Sequence, residues 1–191
     1  MGWAQGRHAL VTGGGSGIGA ATARALAAEG ARVSLIGRRR EPLDAVAAEI
    51  EGRPFAADVT DRAAMEQAFA AARQVNGALD LVILNAGIGD SAPFLRTTRE
   101  AWDRIIATNL TALFDGAQLA LPDLLDGADK RLVIVASVAG LRGAAYAAPY
   151  VASKHGAVGL MRSLAVEYAR TGLTVNAVCP AFVDTPMVDD S

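Results

Sequence analysis

Two groups of residues far apart in the chain have types and spacings suited to chemistry. Near the start lies Thr12-Gly13-Gly14-Gly15-Ser16-Gly17-Ile18-Gly19; much later come Ser137 and then Tyr150-Val151-Ala152-Ser153-Lys154. A glycine run lets backbone N–H groups approach a diphosphate, and the start of a following helix adds donors and a positive dipole end. Tyr150 and Lys154 stand four positions apart, so within a helix they share one face. An unassisted phenol loses its proton at about pH 10, and service as an acid or base near neutrality requires about 3 to 4 kcal/mol of help. An ammonium about 4 Å away at an effective dielectric of about 20 supplies about 4 kcal/mol. One lysine suffices. A diphosphate cradle joined to an assisted phenol points to redox chemistry with a nicotinamide dinucleotide.

These groups need elements to position them. Short aliphatic runs alternate with longer stretches of helical period, the pattern of βαβ units building a parallel sheet covered on both faces. The runs predict strands over His8 to Thr12, Arg32 to Ile36, Arg53 to Ala57, Leu79 to Leu84, Arg131 to Ala136 and Thr174 to Val178. Helices are predicted over Ile18 to Glu29, Pro42 to Glu51, Arg62 to Val75, Arg99 to Leu121 and Ala148 to Thr171. The fold class is therefore α/β, a doubly wound parallel sheet in three α/β/α layers. Strand one runs into the glycine turn and a helix follows, which is the context a phosphate site requires. Ser137 and Asn85-Ala86-Gly87 each follow a strand, at the carboxyl edge where open α/β folds bind ligands.

The second strand carries the cofactor preference. An acidic residue there would bind the ribose hydroxyl of NAD, whereas this chain reads Gly37-Arg38-Arg39-Arg40-Glu41-Pro42. Arginine forks suit a phosphate, so Arg38 and Arg39 favour NADP(H) over NAD(H). Cations placed just before a helix starting near Pro42 oppose its dipole by up to about 1 kcal/mol each, which argues against a merely solvated loop.

Composition bounds the rest. With 191 residues, 52% hydrophobic and only 5% aromatic, the chain fits one domain over residues 1–191 with an aliphatic core. The formal charge of -2 is spread over 18 basic and 20 acidic side chains, so neither nucleic acid nor an anionic membrane is an expected partner. Electrostatics favours a small molecule. One cysteine and two histidines make a poor metal inventory, and no metal is expected. The lone Cys179 fits a reducing compartment. The first residues show no apolar core of signal-peptide length and the apolar runs are strand-sized, so a cytoplasmic location is expected.

The chain resembles the short-chain dehydrogenase/reductase family, and its 3-oxoacyl reductase-like members in particular. Besides the glycine turn, the motifs are Asp58-Val59, Asn85-Ala86-Gly87, Asn109, Ser137, Tyr150 with Lys154, and Asn176-Ala177-Val178-Cys179-Pro180 leading to Thr185. They run in family order along almost the whole chain. The resemblance implies a Rossmann fold and hydride transfer between NADP(H) and a carbonyl/alcohol substrate, such as a 3-oxoacyl thioester or a similar ketone. Tyr150 is then the general acid or base, with Lys154 assisting it and binding the nicotinamide ribose. Ser137 holds the substrate oxygen, and Asn109 holds a water linking Lys154 to solvent. Gly13, Ser16, Gly17, Ile18 and Gly19 form the phosphate turn; Asp58 and Val59 lie at the adenine. Asn85, Ala86 and Gly87 line the cofactor cleft, and beyond Pro180, Val183 and Thr185 meet the carboxamide and phosphate.

Two departures stand out: Ala181 follows Pro180 where the family usually has glycine, and the chain stops where a substrate lid and a last strand would follow. The apolar last strand would then sit at or near an uncovered sheet edge, to be covered by a further strand or by a partner subunit. The stretch from Ala101 to Leu121 carries more apolar residues than one core stripe needs, including Trp102, Ile106 and Phe114. That extra face fits a homo-oligomer, dimer or homotetramer, or burial within its own subunit. His155, Met161, Met187, Trp3 and Trp102 read as surface or packing residues, and Cys179 as a small apolar filler. Two other functions stay open: an NAD-linked alcohol or sugar dehydrogenase, and a dinucleotide-binding sensor or scaffold without turnover.

Overall fold

Residues in the middle of the aliphatic runs point alternately to two opposite apolar layers, and that alternation builds the sheet. In β1 (His8–Thr12), Leu10 packs on one layer while Ala9 and Val11 pack on the other; in β4 (Leu81–Leu84), Val82 and Leu84 oppose Leu81 and Ile83. The structure is a computed structural model and describes residues 2–184. With β2 (Arg32–Gly37), β3 (Arg53–Ala56), β5 (Lys130–Val135) and β6 (Leu173–Val178), these strands form one parallel sheet in the order β3-β2-β1-β4-β5-β6. Helices α1 (Gly17–Ala28) and α2 (Arg40–Ile50) cover one face. The other face is covered by α3 (Arg62–Asn76), α5 (Ala112–Leu124) and α6 (Ala148–Glu167), with Phe69, Met65, Leu124 and Ala157 fully buried or nearly so. The expected doubly wound, three-layer architecture is present, with the strand order reversing between β1 and β4.

Several boundaries differ from the sequence expectation for identifiable reasons. Helix α2 begins at Arg40 rather than Pro42, because a proline in the first turn lacks only an N–H that would have no helical partner. Arg40 thereby enters the helix and pairs with Asp44 at 2.7 Å, leaving Arg38 and Arg39 in the loop. Helix α6 ends at Glu167, short of Thr171, whose hydroxyl donates to the Tyr168 carbonyl at 2.8 Å and closes the following turn. The single helix expected from Arg99 to Leu121 is instead α4 (Arg99–Ile106), a π turn over Ala107–Thr111, and α5. Trp102 and Phe114 on this stretch remain partly exposed, so their own subunit does not bury them fully.

Both ends of the sheet are open among the described residues. At one edge β3 is short and contains Pro54, which cannot donate to a further strand. At the other, Thr174, Asn176 and Val178 of β6 are exposed. No described helix is long and apolar enough to cross a membrane.

Opposite the glycine turn, the start of β1 holds a buried polar cluster. His8 contacts the Gly77 carbonyl through Nδ1 at 2.7 Å and Ser34 Oγ through Nε2 at 2.8 Å, while Asn76 Nδ2 donates to the same hydroxyl at 3.1 Å. With one donor already on Ser34, the network assigns the neutral imidazole, its Nδ1–H donating to Gly77 and its Nε2 accepting from Ser34. Burial, joined by Arg32, pulls the imidazole below its ordinary 6.5 against the Gly77 carbonyl and Asp80. As pH falls below 6.5 the unfolded chain takes up a proton before the folded one does, so stability contributed at neutral pH is lost in that window. Urea midpoints measured from pH 7 to pH 5 are expected to fall, with the fall flattened in His8→Gln; an unchanged slope in that variant would remove His8 as its source.

Candidate active site

The glycine turn is shaped by two close approaches. Gly13 has φ +65°, and a Cβ there would stand 2.8 Å from Asn85 Nδ2. A Cβ on Gly19, in the first turn of α1, would overlap the Gly13 carbonyl oxygen. Ser16 stands at the start of α1 and makes no side-chain cap, so the first-turn N–H groups of that helix are left for another acceptor. Gly13, Ser16, Gly17 and Ile18 line a cleft of about 740 Å³ along the carboxyl edge of the sheet. Uncapped donors, a positive helix end and a glycine turn fit a diphosphate.

Thr12 ties this turn to the neighbouring strand. Its hydroxyl accepts from the backbone N–H groups of Asn85 at 2.9 Å and Ala86 at 3.1 Å, and Asn85 Nδ2 donates back to the Thr12 carbonyl at 3.0 Å. Asn85, Ala86 and Gly87 thus enter the cleft wall directly beside the glycine turn.

Helix α6 supplies the opposite wall. Lys154 is only 4% exposed, and its Nζ donates to the Val135 carbonyl at 3.0 Å and lies 5.6 Å from the centre of the Tyr150 ring. Burial pulls its ammonium from the ordinary 10.5 to about 8, opposed by nearby Cys179. Below that value the charge is retained. Ser137 follows β5, and its Oγ accepts from Ala139 N–H at 3.1 Å, leaving its own proton available to an oxygen in the cleft. Asn109 is fully buried in the π turn, donates through Nδ2 to the Ile88 carbonyl at 2.9 Å and accepts at Oδ1 from Ile88 N–H at 2.8 Å. A π turn is a rare distortion that often marks a functional position. Gly87 links these groups, since a Cβ there would lie 3.3 Å from Asn109 Oδ1 and 3.5 Å from Lys154 Nζ.

The cleft therefore gathers Gly13, Ser16, Gly17, Ile18, Asn85, Ala86, Gly87, Ser137, Tyr150, Lys154, Pro180 and Val183 from the expected set. Gly19 packs beneath the turn and Asn109 stands behind Gly87. Arg38, Arg39, Asp58 and Val59 do not line it; they lie beyond the turn, at the ends of β2 and β3. Burial raises the Asp58 carboxyl, but hydrogen bonds from Thr60 N–H and Oγ1 at 2.9 and 2.8 Å, with the Arg38 charge, hold it below its ordinary value. Thr185 and Met187 fall outside the described residues. Sequence reading missed the roles of Thr12 and Ser153 in joining segments, and the loops at 88–91 and 142–145 that complete the cleft. Only Thr12 carried a signal, as the polar end of an apolar strand. The separate loops approach one another only in the folded chain.

Comparison with known proteins supplies the family and the fold. The family description short chain dehydrogenase fits residues 7–191. The chain is 42% identical over 193 residues to levodione reductase of Leifsonia aquatica, covering 97% of this chain and 72% of that protein. It is 36% identical over 190 residues to a 3-oxoacyl-[acyl-carrier-protein] reductase of Thermotoga maritima, covering 97% and 77% respectively. The crystal structure of an actinorhodin polyketide ketoreductase variant with NADPH superposes with a TM-score of 0.94 at 38% identity, over 100% of this chain and 76% of that one. A fold, a cleft and a sequence in agreement over this length leave one assignment: the chain belongs to the short-chain dehydrogenase family, enzymes that act on hydroxyl and keto groups with a nicotinamide dinucleotide.

Proposed function

We propose that residues 1–191 form one dinucleotide-binding unit that reduces a ketone, of the 3-oxoacyl thioester class or similar to it, with NADPH. The observation that carries this reading is the convergence of Ser137, Tyr150 and Lys154 on the cleft that also holds the glycine turn. The reduced nicotinamide, when bound, supplies hydride to the carbonyl carbon. Tyr150 donates its phenolic proton to the carbonyl oxygen, so that the ketone becomes an alcohol and the phenolate is left to be reprotonated. Lys154 holds a positive charge beside that ring, and its buried position keeps water from screening it. Ser137, with its acceptor side already satisfied by Ala139, donates to the same carbonyl oxygen and orients it. Asn109 holds the Ile88 backbone, and with it the wall next to Lys154.

Arg38 and Arg39 support the preference for NADPH. Neither side chain has a hydrogen-bonded or ion-paired partner among the described residues, and both follow β2 at the cofactor end of the sheet. The ketoreductases among the relatives support the substrate class. The partly exposed Trp102 and Phe114 support a homo-oligomer.

Tyr150→Phe is expected to bind NADPH within about twofold of the parent while kcat falls by about a thousandfold or more, read by nicotinamide absorbance across a ketone panel. Undiminished turnover would exclude Tyr150 as the acid. In Arg38→Gln, KM for NADPH is expected to rise about tenfold while that for NADH stays level; a parent enzyme that prefers NADH would favour an NAD-linked dehydrogenase instead. Lys154 gives a stability test. Between pH 8 and 10.5 the unfolded chain holds a proton that the cofactor-free folded chain lacks, so this group makes stability rise with pH across that window. Lys154→Met should remove that rise and stabilise the cofactor-free protein at pH 7 by up to about 3 kcal/mol, while turnover is lost.

A further inference from the structure

One buried hydroxyl stands between the segments that carry Asn109 and Tyr150. Ser153 is fully buried in α6; its Oγ donates to the Tyr150 carbonyl at 2.7 Å and accepts from Asn109 Nδ2 at 3.2 Å. Among the described residues, the bond from Asn109 is the only hydrogen bond joining α6 to the π turn. The remaining capacity of the Asn109 amide goes to the Ile88 backbone, so a continuous chain runs from the cleft wall at Ile88 through Asn109 and Ser153 to the first turn of α6.

The packing around this chain makes it directional. A Cβ on Gly156 would stand 2.7 Å from Leu110 Cδ2, so α6 and the π turn approach closely there. On the far side, a Cβ on Gly140 would stand 2.6 Å from the Lys154 carbonyl oxygen, although Gly140 does not have positive φ and needs glycine only for that approach. These contacts press α6 between the turn after Ser137 and the Asn109 segment. Lys154 Nζ ties the helix to β5 on one side, and the Ser153–Asn109 bond adds a directional tie to the π turn on the other. Serine inside a helix has lower propensity than alanine, and its bond to the carbonyl three residues back tends to bend the helix. Burial gives no reason to prefer serine over alanine at this position.

We propose that Ser153 is a positioning residue for the reaction: its hydroxyl couples Asn109 to α6 and so sets where the Tyr150 phenol and the Lys154 ammonium stand in the cleft. This rests on the reading of Tyr150 as the proton donor. The coupling acts on the chemical step and not on binding, because Ser153 itself does not line the cleft.

The test uses Ser153→Ala and Ser153→Cys in the full chain. Alanine removes the link; cysteine keeps the volume with a weak donor. The expected result is a fall in kcat of about tenfold or more for alanine and a smaller fall for cysteine, with KM for the ketone and Kd for NADPH within about twofold. The alkaline limb of kcat is expected to move in the alanine variant, and the Asn109 side-chain amide signals to shift in cofactor-free protein. Unchanged kcat in both variants would overturn the proposal, as would unmoved Asn109 signals or a kcat loss that follows KM and thermal midpoint in parallel. A parent protein with no ketone turnover would instead remove the functional reading, while the Asn109 signals would still decide whether the hydroxyl makes the link.

Discussion

Burial of the Lys154 ammonium is the constraint around which the site is built. An isolated charge held away from water is unfavourable, and here its one hydrogen bond among the described residues goes to the Val135 carbonyl at the end of β5. That bond is possible only because α6 lies tightly against the sheet edge. Gly140 lets the turn after Ser137 meet the Lys154 backbone, and Gly87 leaves space in front of the ammonium. Small residues on both sides therefore convert an unfavourable burial into a fixed charge beside the Tyr150 ring. The depressed affinity of this lysine for its proton records the strain of that arrangement in the cofactor-free protein.

The sheet provides the second half of the site through its strand order. Because β1 and β4 are neighbours while their following helices cover opposite faces, the loops leaving them diverge and open a crevice at the carboxyl edge. Thr12 and Asn85 bind each other's backbones across that boundary, so the glycine turn and the segment after β4 act as one wall. At the opposite end of β1, the His8, Ser34 and Asn76 cluster satisfies buried polar groups by hydrogen bonds among themselves. The same strand thus has a closed polar end and an open one.

Much of this was legible in the residue string. Strand and helix types followed from apolar periodicity, and Tyr150 with Lys154, ordinary at that spacing by themselves, stood out only together with the glycine turn, Ser137 after its strand and the family order of the motifs. The π turn was not legible: Asn109 lies in a stretch of continuous helical period, and its wider turn answers to the Ile88 backbone, which no local pattern announces. The start of α2 was misplaced because proline reads as a boundary, yet the first turn tolerates it. Arg40 consequently moved from the set of free cations to a pair with Asp44.

Sequence alone determined the alternation of elements and singled out the glycine turn by residue type, while Ser137, Tyr150 and Lys154 emerged as a candidate set from their order along the chain and the family resemblance. Only the tertiary structure decided how Lys154 is buried, which carbonyl accepts its hydrogen bond, that Ser153 joins Asn109 to Tyr150, and that Arg38 stands near Asp58 outside the cleft. Those relations depend on how closely separate segments approach, and that distance is set by packing across the whole sheet.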